Sequence, residues 1–270
     1  MFKKNVISFY ADESAEGLLE IYPAYKNFPE WFVKSNTKSK CPFAPLMNLR
    51  GIGANSHLDR GVNPYQITKV TTIKHCPAVV DYLKSGYIMP AWSDLIFRNI
   101  NGDMHCESSV QSPEFEYGLH RPHQYSGMDD QQKPEMNLFN KITSPWWVKT
   151  TPGTSLLIMD PYWERNSQFT SVSAIVHPDI IPIHLKWFFE FNSRIKDSPE
   201  IYSEKDQVIL KGTPLALLIP FKRENFKHET VFLEKSKMTK IHTDNYYNSM
   251  SWFSESLYEN FRRKLSNFYK

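Results

Sequence analysis

Residues 145–221 constrain the fold of this chain more than any other part of it. Short runs rich in apolar and β-branched residues alternate there with turn signals, among them Pro152-Gly153 and Lys211-Gly212. Glycine supplies the backbone conformations that tight turns need, and proline is unfavourable within a central strand. The alternation therefore predicts a compact, closed and mostly-β fold.

Composition limits the function classes. With 270 residues, 41% of them hydrophobic and 14% aromatic, the chain has enough apolar material for a substantial core. A net charge of +3 with interspersed charges does not indicate a nucleic-acid partner, and no apolar run approaches the length of a membrane helix. The three cysteines, Cys41, Cys76 and Cys106, are widely spaced, which predicts free thiols in a reducing cytoplasm.

Residues 1–240 are expected to form the β domain, with N-terminal extensions and inserted loops. The pattern predicts strands at residues 5–10 and 18–22, a helical turn after Pro29 and a short helix over residues 76–86. The turn signal at residues 99–103 predicts a hairpin. Residues 35–64 and 121–133 are polar and are expected to be loops.

Residues 241–270 have a different character and predict a long C-terminal helix. Thr243 or Asp244 is the expected N-cap. The helix is expected to pack on the β domain or on a partner subunit. Its predicted apolar face has residues spaced by threes and fours: Met250, Phe253, Leu257, Phe261, Leu265 and Phe268.

Three segments in the β-rich stretch resemble successive motifs of the dUTPase-type β-clip. Residues 152–158 resemble the strand that enters the second motif, and residues 173–191 resemble the hairpin and strand of the third. Residues 211–219 resemble the fourth, and Asp94-Leu95 resembles part of the first. The resemblance covers about a third of the chain and implies a dUTPase-like β-clip barrel, with a trimer as the implied assembly.

A second resemblance covers most of the chain in order. The aromatic, proline-rich residues 23–32, the Lys-x-Cys-Pro helix at residues 74–83, the strand at residues 86–90 and the block 145–224 are similar to a family of uncharacterised tailed-phage and bacterial proteins. This similarity implies a phage origin and a place in the host cytoplasm or the virion. It implies no activity.

The dUTPase chemistry can be compared position by position. His177 stands where the resemblance implies a water-orienting carboxylate, with Asp179 two residues further on. Tyr162 and Trp163 follow Pro161 where arginine and serine would hold phosphates, and Leu217 occupies the amide position. These departures argue against a working dUTPase. The remaining candidate pocket residues are His177, Asp179, Asp160, Arg165 and Asp94.

The histidines do not predict a metal site. His120 and His123 are separated by Pro122, which excludes the helical i, i+4 ligand geometry. His57-x-Asp59 and His242-x-Asp244 each match half of the ligand triad of an iron and 2-oxoglutarate oxygenase, which remains a remote alternative. We expect neither a metal nor another cofactor.

The sequence therefore favours a non-enzymatic binding, structural or assembly protein of a phage, acting through self-association and contacts with other phage proteins. The alternative is a nucleotide-type binding protein or enzyme with a pocket near His177 and Asp179. Neither nucleic acid nor a membrane is expected as a partner.

Overall fold

The computed structural model describes residues 5–36, 38–39, 70–71, 73–100, 103–109, 115–120, 122–129, 139–164, 166–192 and 207–252. The chain divides into two units, Met1–Arg223 and Glu224–Lys270. The first unit is mostly β, as the sequence predicts, and is built from antiparallel sheets. Its described strands do not close into a barrel, so the expectation of a closed barrel is wrong for this part of the chain.

The first sheet has the order β1-β9-β13-β11, and β8 also pairs with β9. Its longest strand is β9, which pairs with β1, β8 and β13. The strands are β1 (Ile7–Tyr10), β8 (Tyr117–His120), β9 (Phe139–Thr150), β11 (Phe169–Ser171) and β13 (Ile183–Phe191).

The second sheet has the order β12-β10-β15-β5-β2. Its central pair, β10 and β15, is in register from Thr154 opposite Lys222 to Met159 opposite Leu217. The strands are β2 (Tyr22–Pro23), β5 (Tyr87–Pro90), β10 (Thr154–Met159), β12 (Ala174–Val176) and β15 (Pro214–Lys222).

Two smaller sheets, three α-helices and several short 3-10 helices make up the other described elements. The predicted hairpin at residues 99–103 is confirmed, because β6 and β7 pair with Ile100 opposite Asp103. The small sheets contain β3 (Lys38–Ser39), β4 (Val70–Thr71), β6 (Leu95–Ile100), β7 (Asp103–Ser108) and β14 (Gln207–Ile209). The helices are α1 (Glu30–Lys34), α2 (Pro77–Lys84) and α3 (Lys235–Trp252).

The main core lies between the first two sheets. Alternate side chains of β13 are buried, and Trp187 stacks on Phe189 with ring centroids 3.8 Å apart. The same cluster contains Leu156 of β10 and Leu215 of β15, so both sheets contribute to one core. Ser171 also links the sheets, because its hydroxyl donates to the Leu215 carbonyl and accepts from the Trp187 indole N–H.

Two predictions for the β domain are corrected by the strand pairing. Residues 173–191 do not form a hairpin: β12 pairs with β10 in the second sheet, whereas β13 pairs with β9 and β11 in the first. The predicted strand at residues 18–22 is reduced to Tyr22–Pro23, because Leu18 closes a β-turn with its N–H on the Ala15 carbonyl.

The second unit contains α3, which begins at Lys235. The predicted N-cap at Thr243 or Asp244 is therefore wrong, since both residues lie within the helix. The Thr243 hydroxyl donates to the Thr239 carbonyl one turn earlier and does not cap a helix start. The last 18 residues of the predicted long helix, 253–270, lie outside the described residues. The described helices include none with the length and apolar character needed to span a membrane.

Candidate functional site

Two of the five predicted pocket residues, His177 and Asp179, come together beside Arg223. Arg223 follows the end of β15, and its guanidinium contacts both carboxylate oxygens of Asp179 at 2.8 and 2.5 Å. The backbone N–H of Gly153, in the turn between β9 and β10, donates to the same carboxylate at 2.8 Å. The Asp179 side chain is only 5% exposed, whereas that of Arg223 is 37% exposed. Asp179 therefore ties three segments of the chain together.

Ser155 connects His177 to the same arginine. An Arg223 N–H donates to the Ser155 oxygen at 3.0 Å, so the hydroxyl hydrogen is free to point at His177 Nδ1, 2.7 Å away. This arrangement suits His177 Nδ1 as the acceptor of the Ser155 hydroxyl hydrogen. Ser155 is fully buried, which keeps its hydroxyl from acting as a nucleophile toward a substrate.

The Asp179 carboxyl is held in its ionised form. The hydrogen bonds from Arg223, with a smaller contribution from the Gly153 N–H, keep its pKa well below the usual aspartate range. A carboxylate held in this way is a weak base. It is poorly suited to accept a proton from an attacking water near neutral pH.

Asp160 and Asp94 have similar local roles elsewhere in the fold. Asp160 Oδ1 accepts the backbone N–H of Ser171 at 3.0 Å. Asp94 Oδ1 accepts the backbone N–H of Lys211 at 2.7 Å. All three predicted carboxylates are thus acceptors for backbone donors in turns or strand ends, a common role for aspartate.

The sheet keeps Asp160 and Asp94 away from Asp179. Gly153, which contacts Asp179, comes directly before β10, and Asp160 comes directly after it. The seven residues of extended chain from Gly153 to Asp160 span roughly 23 Å. Asp94 contacts Lys211 before β15, whereas Asp179 contacts Arg223 after it, and the strand between them spans roughly 26 Å. Arg165, the fifth predicted residue, lies outside the described residues.

A different cleft, which the sequence analysis did not predict, lies at the Asp160 end of β10. It is shallow and partly open to solvent, with room for about one water molecule. Apolar and aromatic side chains form most of its lining, with one carboxylate among them. We call it the aromatic cleft, and it is lined by Ala24, Tyr82, Leu83, Ile88, Pro161, Trp163, Glu164 and Leu217.

Hydrogen bonds from two helices position the loop that forms one wall of the aromatic cleft. The Trp31 indole N–H, from α1, donates to the Trp163 carbonyl at 2.7 Å, and the two indole rings lie 5.8 Å apart. The Tyr82 hydroxyl, from α2, accepts the backbone N–H of Tyr162 at 3.1 Å. These contacts hold Trp163 and Tyr162 of the loop close to Tyr82.

Glu164 supplies the carboxylate in the described lining of the aromatic cleft. Burial raises its pKa from an ordinary value of 4.5 to about 7. Neither a cation nor a hydrogen-bond donor contacts its carboxylate among the residues described by the structure. Tyr22, on β2, has a raised pKa as well, mainly because of burial and also because of the negative charge of Glu164.

The structure gives no support to a metal site in the part of the chain that it describes. No group of three or more histidine, cysteine, aspartate or glutamate side chains is arranged there to hold a metal ion. His242 lies on α3, whereas His57 and Asp59 lie outside the described residues. Cys76 and Cys106 are free thiols, as predicted, and Cys41 is not among the described residues.

Sequence reasoning identified the positions of His177 and Asp179 but missed Arg223 and Glu164. Glu164 follows Tyr162-Trp163, and an acidic residue after two aromatic residues was the available signal for it.

Fold and site together define a mostly-β protein in which two antiparallel sheets share one core. The sequence matches no protein-family model, and a search among curated proteins gives no significant match.

Proposed function

We propose that this chain is a non-enzymatic binding or assembly protein that associates with copies of itself. The observation that carries the proposal is the use of Asp179, Asp160 and Asp94 as acceptors for backbone N–H groups. A hydrolase of the dUTPase type needs a carboxylate that is free to orient and deprotonate water. In this chain the nearest candidate, Asp179, is engaged by Arg223 on both oxygens.

The strand β12 and the turn after it offer a surface for self-association. Within the described chain β12 pairs with β10 alone, so its outer edge has backbone donors and acceptors open to pairing. Ile175 on β12 is 55% exposed, and Ile180 and Ile181 in the following turn are 72% and 65% exposed. Proteins usually protect a free edge with charge, whereas here the exposed residues are isoleucines. We call these three residues the β12 surface.

A second copy of the chain is the occupant we propose for the β12 surface. An edge strand pairs through its backbone and so accepts an identical chain without a specialised partner. The resemblance to the β-clip, whose members use this kind of sheet in trimers, supports a trimer. The resemblance to tailed-phage proteins supports a role in phage assembly, in the host cytoplasm or in the virion, with other phage proteins as further partners.

The proposal also includes two features of the fold, a β-clip-type arrangement and a longer C-terminal helix. We infer a β-clip-type arrangement for the first unit and a continuation of α3 beyond Trp252. The apolar spacing at Leu257, Phe261 and Leu265 supports that continuation. A helix of this length with an apolar face suits packing on the β domain or on a partner subunit.

The nucleotide-type alternative has weaker support. The exposed His177 ring and the partly exposed Arg223 are the side chains that would meet a phosphate there. Asp179 already neutralises that guanidinium, so an incoming phosphate would have to displace a bidentate carboxylate.

Sedimentation velocity tests the proposed function. The wild-type protein is expected to sediment as an oligomer, with a trimer as the implied state. Ile175→Lys places a charge on the β12 surface and is expected to shift the protein toward the monomer. Ile100→Lys is the matched control, since Ile100 is 46% exposed on β6 in a different sheet. A monomeric wild-type protein, or an Ile175→Lys variant that assembles like the control, would contradict the proposal.

A further inference from the structure

The outward face of the first sheet, which points away from the main core, carries a row of aromatic side chains across three strands. Tyr10 of β1 lies opposite Trp147 of β9, and Trp147 lies opposite His184 of β13. The next residues along β9 and β13, Val148 and Leu185, are buried in the core, so the three rings project from the other face. We call Tyr10, Trp147 and His184 the aromatic row.

The rings of the aromatic row are ordered and partly exposed. The Trp147 and His184 rings stack, with centroids 4.4 Å apart and planes 14° apart. His184 Nε2 lies 2.5 Å from the Ser144 carbonyl oxygen, which can only accept, so the imidazole donates and is held in place. Trp147 and His184 are partly exposed, and Tyr10 on the edge strand β1 is 50% exposed. The row therefore offers π surfaces that are positioned in advance.

Three lysines lie on the same face of the sheet. Lys149 is two residues beyond Trp147 on β9, and Lys186 is two residues beyond His184 on β13. Lys141 lies opposite the next outward residue of β13 after Lys186. Side chains two residues apart in a strand point to the same face, so Lys149 and Lys186 flank the aromatic row. The face thus combines aromatic rings with positive charge.

The open part of this face is the end that holds the aromatic row. Tyr125, after β8, packs edge-on against Phe139 with ring centroids 5.4 Å apart, and Phe139 is at the opposite end of β9 from the row. Glu190 of β13 is the one acidic residue that the five strands of the sheet place on this face. Lys149 and Lys186 are therefore the charged strand residues nearest to the row.

Rings and charge together favour one class of ligand, a single-stranded nucleic acid. Unpaired bases stack on tryptophan, tyrosine and histidine rings, and lysines neutralise the phosphates between them. Neighbouring strands are about 4.8 Å apart, so the row spans roughly 10 Å, which suits two or three bases. A duplex keeps its base faces inside the stack. A neutral sugar would leave the lysines without a counter-charge.

We propose that the outward face of the first sheet binds a single-stranded nucleic acid, with bases on the aromatic row and phosphates beside Lys149 and Lys186. The sequence analysis did not expect this partner, because lysines that are far apart in the chain share a face only when β9 and β13 pair. The inference goes beyond self-association and is independent of it, since the β12 surface belongs to the second sheet.

Fluorescence anisotropy with labelled oligothymidylate and oligouridylate of about 12 nucleotides tests the proposal. We expect saturable binding that weakens with salt, with a slope of log K against log salt concentration of about −1.4 for two lysines. A duplex of the same length is expected to bind at least about fivefold more weakly, because its bases cannot stack on the row. Tighter binding of one oligomer than of the other would identify DNA or RNA as the ligand.

Two pairs of variants make the test specific to this face. Tyr10→Ser removes a half-exposed ring and is expected to weaken binding at least about fivefold, whereas Tyr25→Ser, at a 57% exposed tyrosine beside the second sheet, should bind like the wild type. Lys149→Gln is expected to weaken binding and to reduce the salt slope by about 0.7. Lys26→Gln makes the same change at an exposed position next to Tyr25 and should have no effect.

Three results would each overturn the proposal. The first is the absence of saturable binding to both oligomers. The second is a duplex that binds as tightly as the single strands. The third is a Tyr10→Ser or Lys149→Gln variant that binds like its control, because both side chains lie on the proposed face and neither is part of the buried core.

Discussion

Two carboxyl groups in the first unit show how local environment decides the role of an acidic residue. Asp179 receives hydrogen bonds from Arg223 and from the Gly153 N–H, and its pKa is lowered. Glu164 is half-buried without such partners among the described residues, and burial raises its pKa to about 7. The ionised carboxylate therefore stabilises the folded state at one position and destabilises it at the other.

The Glu164 environment predicts a pH-dependent gain in stability for Glu164→Gln. Because the folded-state pKa is raised, ionisation of Glu164 destabilises the folded protein as pH rises from the unfolded value of 4.5 through 7. After allowance for solvent screening at this half-buried side chain, we expect the variant to be more stable by about 2 kcal/mol at pH 8. The difference should fall below about 0.5 kcal/mol at pH 5.

Urea unfolding of both proteins at pH 5 and pH 8 measures this difference. Glu16→Gln makes the same change at an exposed position, so it serves as the control and should change stability little at either pH. A Glu164→Gln variant that is less stable than the wild type at pH 8 would show that the carboxylate has a stabilising partner.

The sequence predicted two residues of the site, His177 and Asp179, because they are two residues apart and belong to one local motif. Arg223 lies 44 residues from Asp179, and their contact depends on β10 lying between β12 and β15. Strand order is a property of the whole sheet. No local sequence pattern around Arg223 or Glu164 indicates the strand order that brings distant residues to them.

At the scale of elements, strong periodic patterns predicted the structure well. The strand that the third-motif resemblance implies at the end of residues 173–191 matches β13, and the predicted helix at residues 76–86 contains α2. For the helix, the apolar spacing and the Pro77 start were sufficient. The polar start of α3 was missed because residues 235–243 lack an apolar stripe, although lysine and methionine favour helix.

The turn between α2 and β5 allows a direct test of the packing. Gly86 has φ +70°, and a Cβ at this position would overlap the Leu218 carbonyl oxygen of β15. Gly17 has φ +87° with no atom within 4 Å of such a Cβ. We expect Gly86→Ala to cost about 3 kcal/mol or more, and Gly17→Ala only about 1 kcal/mol from backbone strain.

Denaturant unfolding of the two glycine variants, compared with the wild type, gives both values. Equal costs would mean that β15 does not approach Gly86 as closely as the structure shows. A larger cost for Gly17→Ala would contradict the comparison outright.

At the scale of the whole molecule, the sequence predicted the mostly-β class but not how the strands combine. Residues 173–191 look like a hairpin locally, yet β12 and β13 join different sheets. The expected barrel is replaced, in the described residues, by two sheets that share a core. Strand pairing depends on contacts between residues far apart in the chain, and apolar alternation does not specify partners.

Hydrogen exchange tests self-association through the β12 surface. Amide exchange over residues 172–181 is followed at a high protein concentration and after dilution below the dissociation constant, for the wild type and for Ile175→Lys. At the high concentration, slow exchange is expected for the wild type and fast exchange for Ile175→Lys, and the wild type should exchange faster after dilution. Exchange that is the same at both concentrations, or equally slow in Ile175→Lys, would contradict it.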